Sequence, residues 1–258
     1  MPIGRGTVFS VMVRIGGLLT MVFAGLGLAS AETHQGYVVC RETVSQARRA
    51  ILEIELRHIS GLRDLKFDEQ GALRFDPEQS TGGSAAARKL LQQAVNGPIA
   101  VVIEDASNRS DVAFARIIPG RWKHESGNSA KVFVVLIDFA DFDYLIGDEA
   151  ALRSFNVGWA LMHELDHAVE DSTDTTTETG LGECEDHLNQ MREELGLPLR
   201  LEYFYKPFPL TAKSEFKTQF VRLHFVLSKG PVMSKKNYWL AWDARLVGGL
   251  DERVAAFR

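Results

Sequence analysis

Apolar positions recur along this chain with two periods, and the switches between them mark out its elements. From Val44 to His58, Ala47, Ile51, Ile54 and Leu56 fall on one side of a helix, with arginines and glutamates covering the other. Leu65 and Phe67, then Leu73 and Phe75, alternate about Asp68-Glu69-Gln70-Gly71, which predicts a hairpin. Ser84 is placed to cap a helix through Leu90, Leu91 and Ala94, stopped by Asn96-Gly97-Pro98. Three strands follow, at Ile99 to Ile103, Val112 to Ile118 and Val132 to Phe139. Asp148 then opens a long helix to about Val169, and a second helix runs from about Gly182 to Leu195, ending before Gly196 and Pro198. Val221, Leu223, Phe225 and Leu227 alternate as a strand, with Tyr238, Leu240 and Trp242 as its hairpin partner. The pattern predicts an α+β domain: a small mixed sheet packed on a central helix, a second helix beside it and a C-terminal β-hairpin.

The central helix carries the chemistry. His163-Glu164-Leu165-Asp166-His167 reads H-E-x-x-H, which projects two imidazoles from one helical face about a turn apart, so that both reach a single zinc ion. Glu164, next to the first histidine, leans toward the ion's open side as a general base. A catalytic zinc site takes three protein ligands, so one more is needed, and the following helix offers Glu183-Cys184-Glu185-Asp186-His187-Leu188-Asn189. Cys184, Leu188, Met191 and Leu195 form its buried stripe; Glu185 borders that stripe in line with Asn189 and Arg192, whereas Glu183 lies beyond the other border in line with His187. This geometry favours Glu185 as the third ligand, with Glu183 as the alternative and Asn189 placed to orient a ligand histidine. Asp166 inside the motif puts a carboxylate close to the ion, where it would alter the acidity of bound water or the metal preference. Tyr203, Tyr205 and His224 are the candidate donors to a developing oxyanion. Val132 to Phe139 is the strand expected to align an extended substrate. The run Glu170-Asp171-Ser172-Thr173-Asp174 reads as a solvated loop, with oxygen ligation of calcium as the other possibility.

The stretch from Ala160-Leu161-Met162-His163-Glu164 to Asn189-Gln190-Met191-Arg192-Glu193-Glu194-Leu195-Gly196-Leu197-Pro198-Leu199-Arg200 resembles the compact metallopeptidase domains of secreted bacterial effectors and Rhs-type toxins. Those are zincins of the glutamate-ligand type, with H-E-L-x-H-A followed by N-x-x-R-x-E-x-G-x-P-x-R. The resemblance implies a zincin-like fold and zinc-dependent hydrolysis of peptide bonds in a peptide or protein substrate. It also implies His163 and His167 as ligands, Glu164 as the base, and Arg192 and Arg200 as residues that shape the site. A metal-holding protein of the cell envelope without turnover is the alternative reading.

Residues 1 to 31 have the layout of a secretory signal: Arg5 and Arg14, an apolar stretch from Ile15 to Leu28, and Ala29-Ser30-Ala31 as the cleavage site. The apolar stretch is shorter than the ~20 residues a membrane span needs. Residues 32 to 258 are then expected as one extracytoplasmic, periplasmic or secreted domain, with 32 to 147 bearing the sheet and 148 to 258 the metal helices, and no later membrane span. The formal charge of -5 becomes -7 once Arg5 and Arg14 are removed, which offers no field for nucleic acid. In an oxidising compartment Cys40 and Cys184 could pair; two separate buried thiols are the alternative.

Overall fold

A computed structural model describes residues 37–123, 129–177, 179–208, 219–229 and 234–248. The signal-like segment lies outside them. The chain is a mixed α+β fold, and its elements in order are β1 (Tyr37–Cys40), α1 (Gln46–Ser60), β2 (Lys66–Phe67), β3 (Leu73–Arg74), α2 (Ala85–Asn96), β4 (Ile99–Asp105), β5 (Ala115–Lys123) and β6 (Ser129–Ile137). A 3-10 turn (Asp141–Tyr144) leads to β7 (Ile146–Gly147), α3 (Glu149–Ser154), α4 (Val157–Glu170) and α5 (Glu183–Glu194). The chain continues through β8 (Leu199–Arg200), β9 (Lys206–Pro207), β10 (Phe220–Lys229) and β11 (Ser234–Asp243).

The first sheet has the order β1-β4-β6-β5. Its first three strands run parallel and β5 lies antiparallel at one edge. Val101, Ile103, Val135 and Ile137 turn one face of this sheet onto a core shared with α1, α2, α4 and α5. Helix α4 runs through that core and buries Trp159, Leu161, Met162, Leu165 and Ala168. The second sheet, β7-β11-β10-β8 with β9 also on β10, is antiparallel throughout. The alternation read in the sequence is its inner face: Val221, Leu223, Phe225, Leu240 and Trp242 are buried with Phe114 and Ala151 in a second core.

Three expectations are corrected. The long helix from Asp148 is two helices, because the Asn156 carboxamide accepts the N–H groups of Gly158 and Trp159 and so starts α4 afresh. In α1 the buried stripe is Leu52, Leu56 and Ile59, while Ile51 and Ile54 are about half exposed (48% and 47%). Strand β6 is interior, paired on both sides, so the edge beside α4 is β5 rather than the Val132 to Phe139 strand. The predicted β2–β3 turn, the Ser84 cap and the stop after Asn96 all form; at Gly71, φ is 79° and a side chain would run into the Cys40 carbonyl. Among the described residues no helix is long and apolar enough to cross a membrane.

Candidate metal centre

Helical spacing puts His163 and His167 on one face of α4, with their Nε2 atoms 3.1 Å apart and their rings nearly perpendicular. The helix ends at Asp171, which takes the left-handed conformation (φ 57°) and turns the chain back along the helix end. Asp174 then pairs across to Gly182, whose own φ of 88° lets the Thr175 backbone approach where a side chain would collide. This return brings the Asp174 carboxylate under both imidazoles: Oδ1 is 3.2 Å from His163 Nε2, and Oδ2 is 3.4 Å from His167 Nε2. Atoms bound tetrahedrally to one ion at about 2.0–2.1 Å stand about 3.3–3.4 Å from each other. The three side chains therefore already have the spacing of a coordination shell.

Their electrostatics agree with that spacing. Asp174 Oδ1 is enclosed, with the His163 imidazole at 3.2 Å as its nearest partner and no well-aligned hydrogen bond, so a buried carboxylate oxygen here depends on a positive group beside it. Burial alone would raise the Asp174 carboxyl, but His163, His167 and Tyr203 prevail and hold it far below the ordinary carboxylate range. The His167 imidazole, which burial alone would lower, is raised to about 9 by Asp174 and by the Ser172 carbonyl. Since a carbonyl only accepts, the 2.8 Å contact between His167 Nδ1 and Ser172 O puts a proton on Nδ1, so Nε2, which faces Asp174, is the nitrogen whose proton a cation would replace. The buried Glu164 carboxyl is pushed up by desolvation, against the opposing pull of both histidines.

Glu185, expected as the third ligand, is elsewhere. It is fully buried, with one oxygen on Arg192 Nη1 and the other 2.8 Å from Arg200 Nη1, and it comes no nearer the histidines than 3.8 Å from His163 Nδ1, the nitrogen turned away from His167. The two guanidinium groups hold its carboxyl below the ordinary range although burial acts the other way. Asn189, expected to orient a histidine, instead accepts from Arg192 Nη1 and from the Arg200 backbone N–H, both at 2.9 Å. Arg200 also donates to the Glu202 and Tyr203 carbonyls, so this cluster fixes the segment that carries Tyr203. Glu183 is exposed on the far side of α5, and His187 is bound to Asp166 rather than to the histidine pair.

Asp166 does not face the paired imidazoles. Its carboxylate accepts from Ser172 Oγ at 2.6 Å and contacts His187 Nδ1 at 2.9 Å. Of the three oxyanion candidates, Tyr203 is at the site: its ring stacks 6.2 Å from that of His163, and its hydroxyl hydrogen-bonds Asp174. Tyr205 packs on Trp242 in the second core, and His224 stacks on Trp239 along β10. A cavity of about 140 Å³ opens beside His163 and Glu164, walled by Phe114, Phe155, Trp159 and Tyr203. A further hollow of about 400 Å³ shares Phe114, Phe155 and Tyr203 with it and continues toward Arg116 and Trp242.

Cys40 and Cys184 are free, buried thiols, not a bridge. Burial pushes Cys40 up to about 12 and raises Cys184 as well, so both are neutral. Cys184 Sγ lies 3.2 Å from His163 Nδ1 and belongs, with His163, His167 and Asp174, to one compact group able to hold a metal ion. Asp174 is the residue that sequence reasoning missed. Its only signal was an acidic run just past the helix, read as solvated because nothing in it announced the left-handed turn at Asp171. No family model, curated protein or solved structure matches the chain.

Proposed function

We propose that this protein is a zinc-dependent hydrolase of peptide or amide bonds, with a zincin-like arrangement in which His163, His167 and Asp174 hold the ion and Glu164 is the general base. The two Nε2 atoms 3.1 Å apart, with one Asp174 oxygen 3.2 Å from His163 Nε2 and the other 3.4 Å from His167 Nε2, carry this reading. Zinc bound there supplies Lewis acidity and an acidified water at its open corner. Glu164 would take the proton of the attacking water and return it to the leaving nitrogen, and burial shifts its carboxyl upward, the direction that favours holding a proton between those steps. Of the three candidate donors Tyr203 is the one beside His163, and its hydroxyl would supply the hydrogen bond to an oxyanion. The edge of β5 beside α4 is positioned to align an extended substrate, and the cavity next to Glu164 takes one of its side chains. The signal-like layout of residues 1 to 31 supports an extracytoplasmic setting for this activity.

Cys184 favours one other reading, a closed His-His-Asp-Cys site that binds zinc without turnover. Its sulfur, however, sits against Nδ1 of His163, whereas Nε2 is the nitrogen that faces His167 and Asp174. Cobalt substitution separates the two. An open site gives a spectrum without thiolate-to-cobalt charge transfer and a protein that cleaves a peptide library in a Glu164-dependent manner. A closed site gives the charge-transfer band, lost in Cys184→Ser, and no cleavage.

A further inference from the structure

Helix α4 has a second working face. Asp166, next to His167 in sequence, is turned away from the imidazole pair and is only 2% exposed. A carboxylate at that depth is tolerated only if its lone pairs are met, and two groups meet them. Ser172 Oγ donates at 2.6 Å, and His187 Nδ1 approaches from α5 at 2.9 Å. Ser172 is the first residue beyond the left-handed cap at Asp171. It uses both of its polar ends: the hydroxyl goes to Asp166, while the carbonyl takes the Nδ1 proton of His167 at 2.8 Å. Asp174 follows two residues later, and its approach to both Nε2 atoms depends on where Ser172 leaves the chain.

We infer that Asp166 is a positioning residue for the metal centre: by gripping Ser172 it sets the ring angle and tautomer of His167 and delivers Asp174 beneath the two histidines. One buried carboxylate thereby aligns two of the three ligands, one through a carbonyl and the other through the path of the loop. The inference rests on the metal reading above. It assigns to the unusual acid inside the H-E-x-x-H motif a task on the far side of the helix from the ion. Partners that orient metal-bound histidines typically change affinity by about 10- to 100-fold when removed.

The test compares wild type, Asp166→Asn and Ser172→Ala by zinc affinity in chelator competition, by the visible spectrum of the cobalt form, and by solvent exchange of the His167 Nδ1 proton in NMR. All are read well below the melting temperature of the metal-free proteins. Ser172→Ala removes only a hydroxyl from a loop, so it remains informative if Asp166→Asn folds poorly. The expected result is zinc affinity lower by about 10- to 100-fold in both variants, with an altered cobalt spectrum and faster exchange of that proton. If Asp166 merely latches the helix end, the variants melt earlier but keep wild-type zinc affinity and cobalt spectrum, and the inference is overturned. A wild type that takes up no zinc fails differently, since it removes the metal reading itself.

Discussion

Two carboxylates lie within a few ångströms of His163, and the contrast between their surroundings underlies the proposal for which of them would serve a metal. Glu185 is fully buried and fully answered: Arg192 and Arg200 meet its two oxygens, and Asn189 ties both arginines into the same cluster. Asp174 is less buried, no fixed guanidinium among the described residues meets it, and its nearest partners are two imidazoles whose Nε2 atoms crowd each other at 3.1 Å. A carboxylate whose charge is already neutralised by fixed cations has little left to offer an ion. One facing two lone-pair nitrogens gains most from a cation between them. On the proposed reading, burial close to a histidine does not by itself mark a ligand; which groups already neutralise the carboxylate matters more.

The largest effect expected from this contrast is on stability. Glu185→Ala leaves two buried guanidinium groups without their counter-charge and should cost about 3–5 kcal/mol in denaturant unfolding. A loss below about 1 kcal/mol would mean that Glu185 is not the neutralising centre of its cluster. Next is catalysis. Glu164→Gln should lower kcat/KM about 10³-fold with zinc content unchanged, whereas retained activity would move the base elsewhere. Tyr203→Phe should lower kcat by about 10²-fold, and because it also removes a hydrogen bond to Asp174 it should weaken zinc binding by up to about 10-fold, while a kcat left unchanged would exclude Tyr203 as the oxyanion donor.

The smallest effect sharpens the comparison with a third buried acid. Among the described residues no arginine pairs with Asp141; burial and the neighbouring Asp138 raise its carboxyl to about 7, partly offset by the Phe114 N–H it accepts. Because the folded value lies above the ordinary 3.8, its contribution to stability is fully present below about 3.8 and is lost as pH rises through about 7. Asp141→Asn keeps an acceptor for the Phe114 N–H and removes the titration. Unfolding free energies measured from pH 4 to 8 should therefore fall less steeply in the variant than in wild type. Parallel curves would show that Asp141 does not titrate in that range.

Much of the fold was legible because each prediction rested on local chemistry. The Ser84 cap, the turn at Gly71, and the alternation of Val221 to Phe225 against Tyr238 to Trp242 all form as read. The helical spacing of His163 and His167 likewise sufficed to bring their rings together. What stayed hidden depended on tertiary company. Glu185 and Arg192 share one face of α5, a visible hint of pairing, but the second arginine, which the resemblance implied at the site, arrives from β8, and its pairing with Glu185 had no local signal. Asp174 reaches the site only through the left-handed residue at Asp171 and the close approach at Gly182, two backbone events with weak sequence signatures. The break at Asn156 was hidden in the same way, since a capping carboxamide inside an apolar run looks like an ordinary polar interruption.

The central claim is that Asp174, and not Glu185, completes the metal shell with His163 and His167. The most direct measurement is metal content and zinc affinity of the purified protein beside His163→Ala, Asp174→Ala and Glu185→Gln, each checked for folding. One zinc per wild-type chain, lost in the histidine and Asp174 variants and retained in folded Glu185→Gln, is the predicted result. Zinc that survives Asp174→Ala but leaves with Glu185→Gln would contradict it.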